Sequence, residues 1–277
     1  MVLSCTRGDS AMANSKARIT VIGTGNMGGA FAESLSKNPE IELSVYDSYR
    51  PCAEKVAEGR PLAVLEDMTG AKGSDVIIIA VKPQVLPEIY QNLADLRPEL
   101  FISIAAGVTL EKLRNNLGTD KVVRFMPNIA AKVGKAVTAV AFTDSITEDE
   151  KNLAMMIAKS VGSAFELEEN LFSAFIGISG SGIAYMFDLM HNIAMGGVKE
   201  GIPYAKGLSI VADTMISAAA LQKETGKNAI DLEAMVCSAK GTTIEGVAKL
   251  AEGGFASAVQ NAVSAAAERS RELEKKA

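Results

Sequence analysis

The sequence predicts an α/β fold, with a doubly wound and mostly parallel sheet in its N-terminal half and an all-α domain after it. Three observations carry this. From Arg18 to about Glu168, short β-branched runs alternate with amphipathic stretches, the pattern of a parallel sheet with helices on both faces. The first run leads into a G-x-G-x-x-G, Gly23, Gly25 and Gly28, that opens a helical stretch. After Glu169 the strand signals stop, and a chain rich in Ala, Met and Gly with helical period runs to the end.

The elements follow in order. RITVIG (18–23) is a strand, and NMGGAFAESLSKN (26–38) a helix with apolar positions at Met27, Ala30, Phe31 and Leu35. IELSVYD (41–47) is a second strand, and PCAEKVAE (51–58) a helix with proline in its first turn. A short piece at Leu62–Leu65 reads as a third strand. DVIIIAV (75–81) has the length and β-branching of a buried strand, followed by the helix PEIYQNLADL (87–96) and the strand LFISIAA (100–106). TLEKLRNNL (109–117) is helical, and KVVRFMP (121–127) and AVTAVAF (136–142) are strands. ITEDEKNLAMMIAKSV (146–161) is a helix whose N-cap Thr147 forms a capping box with Glu150, and SAFELE (163–168) closes this half. Helices are then expected at 181–200, 203–224, 229–237, 243–252 and 255–275.

The expected domains are a disordered leader or tag over 1–16, a dinucleotide-binding domain over 17–168 and a helical domain over 169–277. The leader lacks an apolar core, so it is no signal peptide, and Met12 is a plausible start. AYMFDLMHNIAMGG and LSIVADTMISAAAL are apolar on more than one face, more than a helical half of this size can cover by itself. A second subunit is expected to cover them.

Composition narrows the function. Hydrophobic residues make up 48% and charged residues 22% of the 277, a globular balance. No uninterrupted apolar run reaches the ~18 residues of a membrane span, so no membrane partner is expected. The net charge of −5 argues against nucleic acid. Three dispersed cysteines without a CxxC pair suit a reducing cytoplasm and exclude a cysteine-built metal site. With a single histidine, His191, a multi-histidine metal centre and most histidine-based triads are excluded, and no metal is expected. His191 lies mid-helix and reads as structural, and Cys237 reads as a small buried residue.

In the glycine-rich turn, Gly23 permits the bend, Gly25 lets backbone approach a pyrophosphate and Gly28 lets helix and strand pack closely. Amides at the helix start then bind the anion. Asp47, ending the second strand, is placed to accept the adenosine ribose hydroxyls and so to favour NAD. Arg50 either grips a 2′-phosphate or is a solvated charge at a helix start. The strand-end segments AVKP (80–83) and SIAAG (103–107) lie where ligands of such sheets bind, and Lys82 either reaches the cofactor or is merely solvated.

VIGTGNMG, AVKP, SIAAGVTLEKL, RFMPN (124–128), GISGSGIAYMF (177–187), MGGVKEGIP (195–203) and SAKGTTIEGVAKLAEGGF (238–255) occur in this order. Together, from about Arg18 to Leu273, they closely resemble the pyrroline-5-carboxylate reductase family, which makes L-proline from a cyclic imine. The resemblance implies a Rossmann-type domain followed by an α-helical dimerisation domain, NADPH or NADH as cofactor, and a small cyclic imine acid as substrate. It also implies a homodimer, with larger rings of dimers known in the family. The implied cofactor residues are Gly23, Thr24, Gly25, Asn26, Met27, Gly28, Asp47, Arg50, Ala80, Val81, Lys82, Pro83, Ile104, Ala105, Ala106 and Asn128.

By the same resemblance the substrate carboxylate sits on backbone amides around Gly241, at the start of a helix, with hydroxyls from Ser238 and Thr242. Thr243, the implied catalytic residue, bonds the ring nitrogen. The plain alternative is that Thr242 or Thr243 caps the helix. Glu169 sits where some members contact substrate, or else is an exposed acid at a helix start. A protonated imine already carries its proton, so the site needs orientation more than a general acid.

Three departures stand out. Where most members read S-P-G-G-T-T, this chain has Ser238-Ala239-Lys240-Gly241, expected to loosen the loop. Ile129-Ala130 replaces Thr-Pro after MPN, and Ile183 replaces a proline after GSG. Two other readings use the same scaffold: a reductase of another substrate (a deazaflavin:NADP oxidoreductase, or a hydroxy-acid dehydrogenase with Lys199 as base), and a non-catalytic dinucleotide sensor.

Overall fold

The structure, a computed structural model, describes residues 16–275. Apart from Lys16, the expected leader lies outside the described residues. The chain divides into two units, the first running to Phe172 and the second covering Ser173–Lys275.

The first unit holds eight strands: β1 (Ala17–Ile22), β2 (Ile41–Tyr46), β3 (Leu62–Val64), β4 (Val76–Ile79), β5 (Leu100–Ser103), β6 (Val122–Pro127), β7 (Ala136–Phe142) and β8 (Gly162–Glu166). They form one sheet in the order β3-β2-β1-β4-β5-β6-β7-β8. Every pairing is parallel except the antiparallel β6–β7. Helices α1 (Asn26–Leu35), α2 (Arg50–Ala57), α3 (Leu86–Ala94), α4 (Leu110–Leu117) and α5 (Glu148–Lys159) connect the strands. Ile19, Val21, Phe31, Ile78, Ile102, Phe125 and Ile157 are buried together in the core. The capping box expected at Thr147 and Glu150 forms as read.

β4 and β5 are shorter than the sequence suggested. Residues 80–83 and 104–107 leave the sheet, and a 3₁₀ turn opens at Pro83, which has no N–H to give to a ladder. These segments therefore stand beyond the strand ends. Three further 3₁₀ turns were not foreseen, at Met68–Ala71, Ile129–Val133 and Glu169–Leu171.

The second unit is helical. After α6 (Phe172–Phe175) comes a π-helical turn, Ile176–Gly180, then α7 (Gly182–Lys199), α8 (Tyr204–Thr225), α9 (Ala229–Val236), α10 (Thr242–Glu252) and α11 (Phe255–Glu274). In the π turn a Cβ on Gly177 would lie 2.6 Å from the Val263 carbonyl oxygen, so α11 packs against bare backbone there. Few apolar side chains of this unit are buried, Val211 and Ala267 among them. Phe187, Ile193, Ile210, Ile216 and Leu221 stay exposed on α7 and α8. That much exposed apolar surface marks an interface.

The sequence reading found no uninterrupted membrane-length run. Within the helical stretch Glu169–Lys199, however, an 18-residue window has the length and composition to cross a membrane, with a mean hydropathy of 1.3. A helix that packs on a second subunit has this composition too.

Candidate active site

The parallel register lines up the expected cofactor residues along one edge of the sheet. Ile22 pairs with Tyr46 and with Ile79, and Ile79 pairs with Ser103. The glycine turn, Asp47, residues 80–83 and Ile104–Ala106 therefore leave the carboxyl ends of four adjacent strands. The strand order reverses between β1 and β4, where ligands of doubly wound sheets bind.

The turn between β1 and α1 fits a dinucleotide. Gly23 has φ +94°, open to glycine at little cost. A Cβ on Gly28 would lie 1.9 Å from the Gly23 carbonyl oxygen, while one on Gly25 would meet nothing within 4 Å. Gly25, the N-cap of α1, and Asn26 are exposed, and no side chain caps the helix. The helix start thus offers backbone donors to a cradle that only glycine leaves open.

Asp47 does more than the sequence suggested. Its Oδ2 accepts from Thr24 N at 2.7 Å and Thr24 Oγ1 at 3.0 Å, and its Oδ1 accepts from Tyr49 N at 2.9 Å. The carboxylate holds the glycine turn in place. Arg50, in the first turn of α2, is not simply solvated: Nε bonds Glu54 Oε1 at 2.7 Å and Nη1 bonds Glu66 Oε2 at 2.5 Å. The bond to Glu66, then that to Glu54, raises the Arg50 guanidinium's pKa, and the Arg50 partner holds the Glu66 carboxyl below its usual range. Lys82 is exposed, and Asn128 is buried with Oδ1 accepting from Ala130 N (3.2 Å) and Val137 N (3.3 Å), which ties the end of β6 to β7.

The sequence reading used RFMPN only as a motif and so missed Arg124. This residue is 1% exposed on β6, with Nη1 2.7 Å from Glu169 Oε1 and its guanidinium carbon 4.8 Å from the Phe172 ring centroid. The same Glu169 oxygen accepts from Leu110 N at 2.7 Å, at the start of α4. Glu169 is thus engaged with a buried cation and a helix start. A charged residue among buried β-branched neighbours was the signal available in VVRF.

In the second unit, Ser238–Gly241 is a turn closed by Gly241 N donating to Ser238 O at 3.0 Å. Lys240, its third residue, has φ +59°. A turn with positive φ there takes proline second and glycine third, so the family's S-P-G-G is written for this backbone and Ala239-Lys240 carries it at a cost. Lys240→Gly should raise stability by about 0.5–1 kcal/mol, seen as a higher urea midpoint at fixed protein concentration. Gly241 is the N-cap of α10 without any side-chain cap bond, so neither Thr242 nor Thr243 serves as the cap. Ser238 and Thr242 are exposed and Thr243 is half-buried.

His191 is exposed on α7, with Nδ1 3.0 Å from Tyr204 Oη. Cys237 is half-buried, not buried, because it caps the exposed end of α9.

Comparison with known proteins decides what this arrangement belongs to. A pyrroline-5-carboxylate reductase from Aquifex aeolicus is 36% identical over 264 residues, which cover 92% of this chain and 97% of that protein. The chain belongs to the pyrroline-5-carboxylate reductase family. The family model for pyrroline-5-carboxylate reductase dimerisation matches residues 169–273, and the one for coenzyme F420-dependent NADP oxidoreductase matches residues 18–107. A solved pyrroline-5-carboxylate reductase from Coxiella burnetii aligns with a TM-score of 0.87 at 29% identity, covering 94% of this chain and 99% of that one. A Plasmodium falciparum pyrroline carboxylate reductase with NADP bound aligns with a TM-score of 0.81 at 25% identity, covering 95% and 100%. As in this reductase family, the helical half forms a homodimer, which accounts for the apolar side chains exposed on α7 and α8.

Proposed function

We propose that this chain reduces 1-pyrroline-5-carboxylate to L-proline with NADPH or NADH, the last step of proline biosynthesis. One observation carries the reading: the likeness to reductases of this substrate runs through both halves, including the Ser238–Thr243 turn whose helix start carries no cap. The F420-dependent match covers the cofactor half alone and says nothing of substrate.

The bound nicotinamide supplies the hydride. The chain's own residues bind and orient. Gly23–Gly28 receive the pyrophosphate on bare amides, Asp47 sets the turn, and the segments 80–83 and 104–106 offer small side chains and backbone to the rest of the cofactor. Asn128 braces the neighbouring strand end. The amides at Gly241 and Thr242 and the Ser238 hydroxyl hold the substrate carboxylate, and Thr243 bonds the ring nitrogen. A protonated imine becomes a neutral amine without further proton transfer, so no tuned acid is required. Glu169 contributes by positioning Arg124. The enzyme works in the cytoplasm as a dimer, and a ring of dimers is the larger assembly open to it.

The test is oxidation of NADH and of NADPH with 1-pyrroline-5-carboxylate beside six-membered imines and hydroxy acids. Activity confined to hydroxy acids, or none at all, overturns the reading. Thr243→Ala should lower kcat/KM about tenfold, the loss of one polar contact worth ~1.4 kcal/mol. An unchanged kcat/KM would take Thr243 out of the site.

A further inference from the structure

We propose that Glu66, together with Glu54, holds Arg50 away from the adenosine 2′ position and so gives this chain its preference for NAD(H) over NADP(H). The inference rests on reading Gly23–Gly28 as the dinucleotide turn and concerns only the far end of that site.

The sheet brings the groups together. Val45 of β2 pairs with Val64 of β3, and Leu65 N donates to Val45 O at 2.9 Å. Asp47 and Glu66 each stand two residues beyond those paired valines, so two carboxylates leave adjacent strands at the same edge. Arg50 follows Asp47 by three residues and is held between Glu66 at 2.5 Å and Glu54 of α2 at 2.7 Å. A 2′-phosphate carries about −1.5 to −2 charges. It would meet Asp47, Glu54 and Glu66 with Arg50 in its favour, and Arg50 must leave both partners to grip it. A ribose with its 2′-hydroxyl faces no such repulsion.

Glu66 is 81% exposed, so Glu66→Gln removes the charge without disturbing the core. An exposed pair is itself weak. The larger effect is the charge felt by the phosphate, which at several ångströms through water predicts a shift of about fivefold. It should shrink at high salt.

The test is equilibrium binding of NAD⁺ and NADP⁺ by calorimetry to the intact dimer. Wild type should bind NAD⁺ the tighter. E66Q should tighten NADP⁺ about fivefold with NAD⁺ changed less than twofold, and the gain should fade in 0.5 M salt, a condition set by screening lengths of about 4 Å. Arg50→Gln should weaken NADP⁺ more in the E66Q background than in wild type. E54Q should shift the ratio in the same direction and serves as a second variant. An unchanged NADP⁺/NAD⁺ ratio in both E66Q and E54Q, tighter NADP⁺ in wild type, or an equal effect of Arg50→Gln in both backgrounds overturns the inference and leaves the dinucleotide reading standing. Binding of neither nucleotide overturns both.

Discussion

Replacing Gly28 with alanine is expected to cost about 3 kcal/mol of stability and to abolish dinucleotide binding, the stability loss lying at the upper end for overpacking. The added Cβ would sit 1.9 Å from the Gly23 carbonyl oxygen and 2.8 Å from the Ala80 Cβ. Both stand just beyond the strand ends, tied to the sheet by Gly23 N donating to Tyr46 O and Ala80 N to Ile22 O, each at 2.8 Å, so the first turn of α1 must move away from the edge where β1 and β4 end. Gly25→Ala is the matched control. Its Cβ meets nothing within 4 Å, and φ −64° suits alanine, so the fold should stay within ~0.5 kcal/mol of wild type. The methyl nevertheless enters the exposed space through which a pyrophosphate would approach backbone, and NAD⁺ binding should weaken about tenfold or more. Urea midpoints at fixed protein concentration and calorimetric titrations read the two effects apart. A Gly25→Ala protein that binds NAD⁺ as wild type does would remove the close approach from the account.

Much of this was legible before the structure because each element was encoded locally. β4 is a run of β-branched residues, α5 carries its own capping box, and the glycine turn shows its purpose in its spacing. What stayed hidden depends on neighbours distant in sequence. Arg50 is ambiguous in isolation. It acquires a state only when β3 lies beside β2 and brings Glu66 within reach, sixteen residues away. Asp47 was read as a ribose ligand because its position after β2 says so, but that Thr24 bonds it follows from the path of the turn, not from its composition. The Ser238–Gly241 turn shows the same limit. Losing proline and glycine suggested a loose loop, whereas the backbone keeps the tight conformation and lets Lys240 bear the positive φ. The exposed apolar faces of α7 and α8 were readable because amphipathic period counts faces, and a single chain of this length runs out of partners for them.

Glu169→Ala is expected to lower stability by about 3 kcal/mol, the scale of breaking a buried ion pair from one side. The acid lies 45 residues from Arg124 and 59 from Leu110, and one of its oxygens serves both. Arg124 is almost wholly inaccessible, stacked by Phe172, so its charge loses the Glu169 carboxylate in a region where water compensates poorly. Glu169→Gln should cost about half as much, since the amide oxygen still accepts from Leu110 N while the charge is gone. Unfolding in urea at fixed dimer concentration gives the two values. The pair also decides what Glu169 is for. If it positions Arg124, both substitutions lower stability in that order, and KM for the imine acid moves little in the folded protein. Were Glu169 a substrate ligand, KM would rise severalfold with stability nearly unchanged, because a residue that meets its partner only in the loaded enzyme contributes nothing to the empty fold. The bonds to Arg124 and Leu110 already engage the Glu169 carboxylate within the fold, and they favour the first outcome.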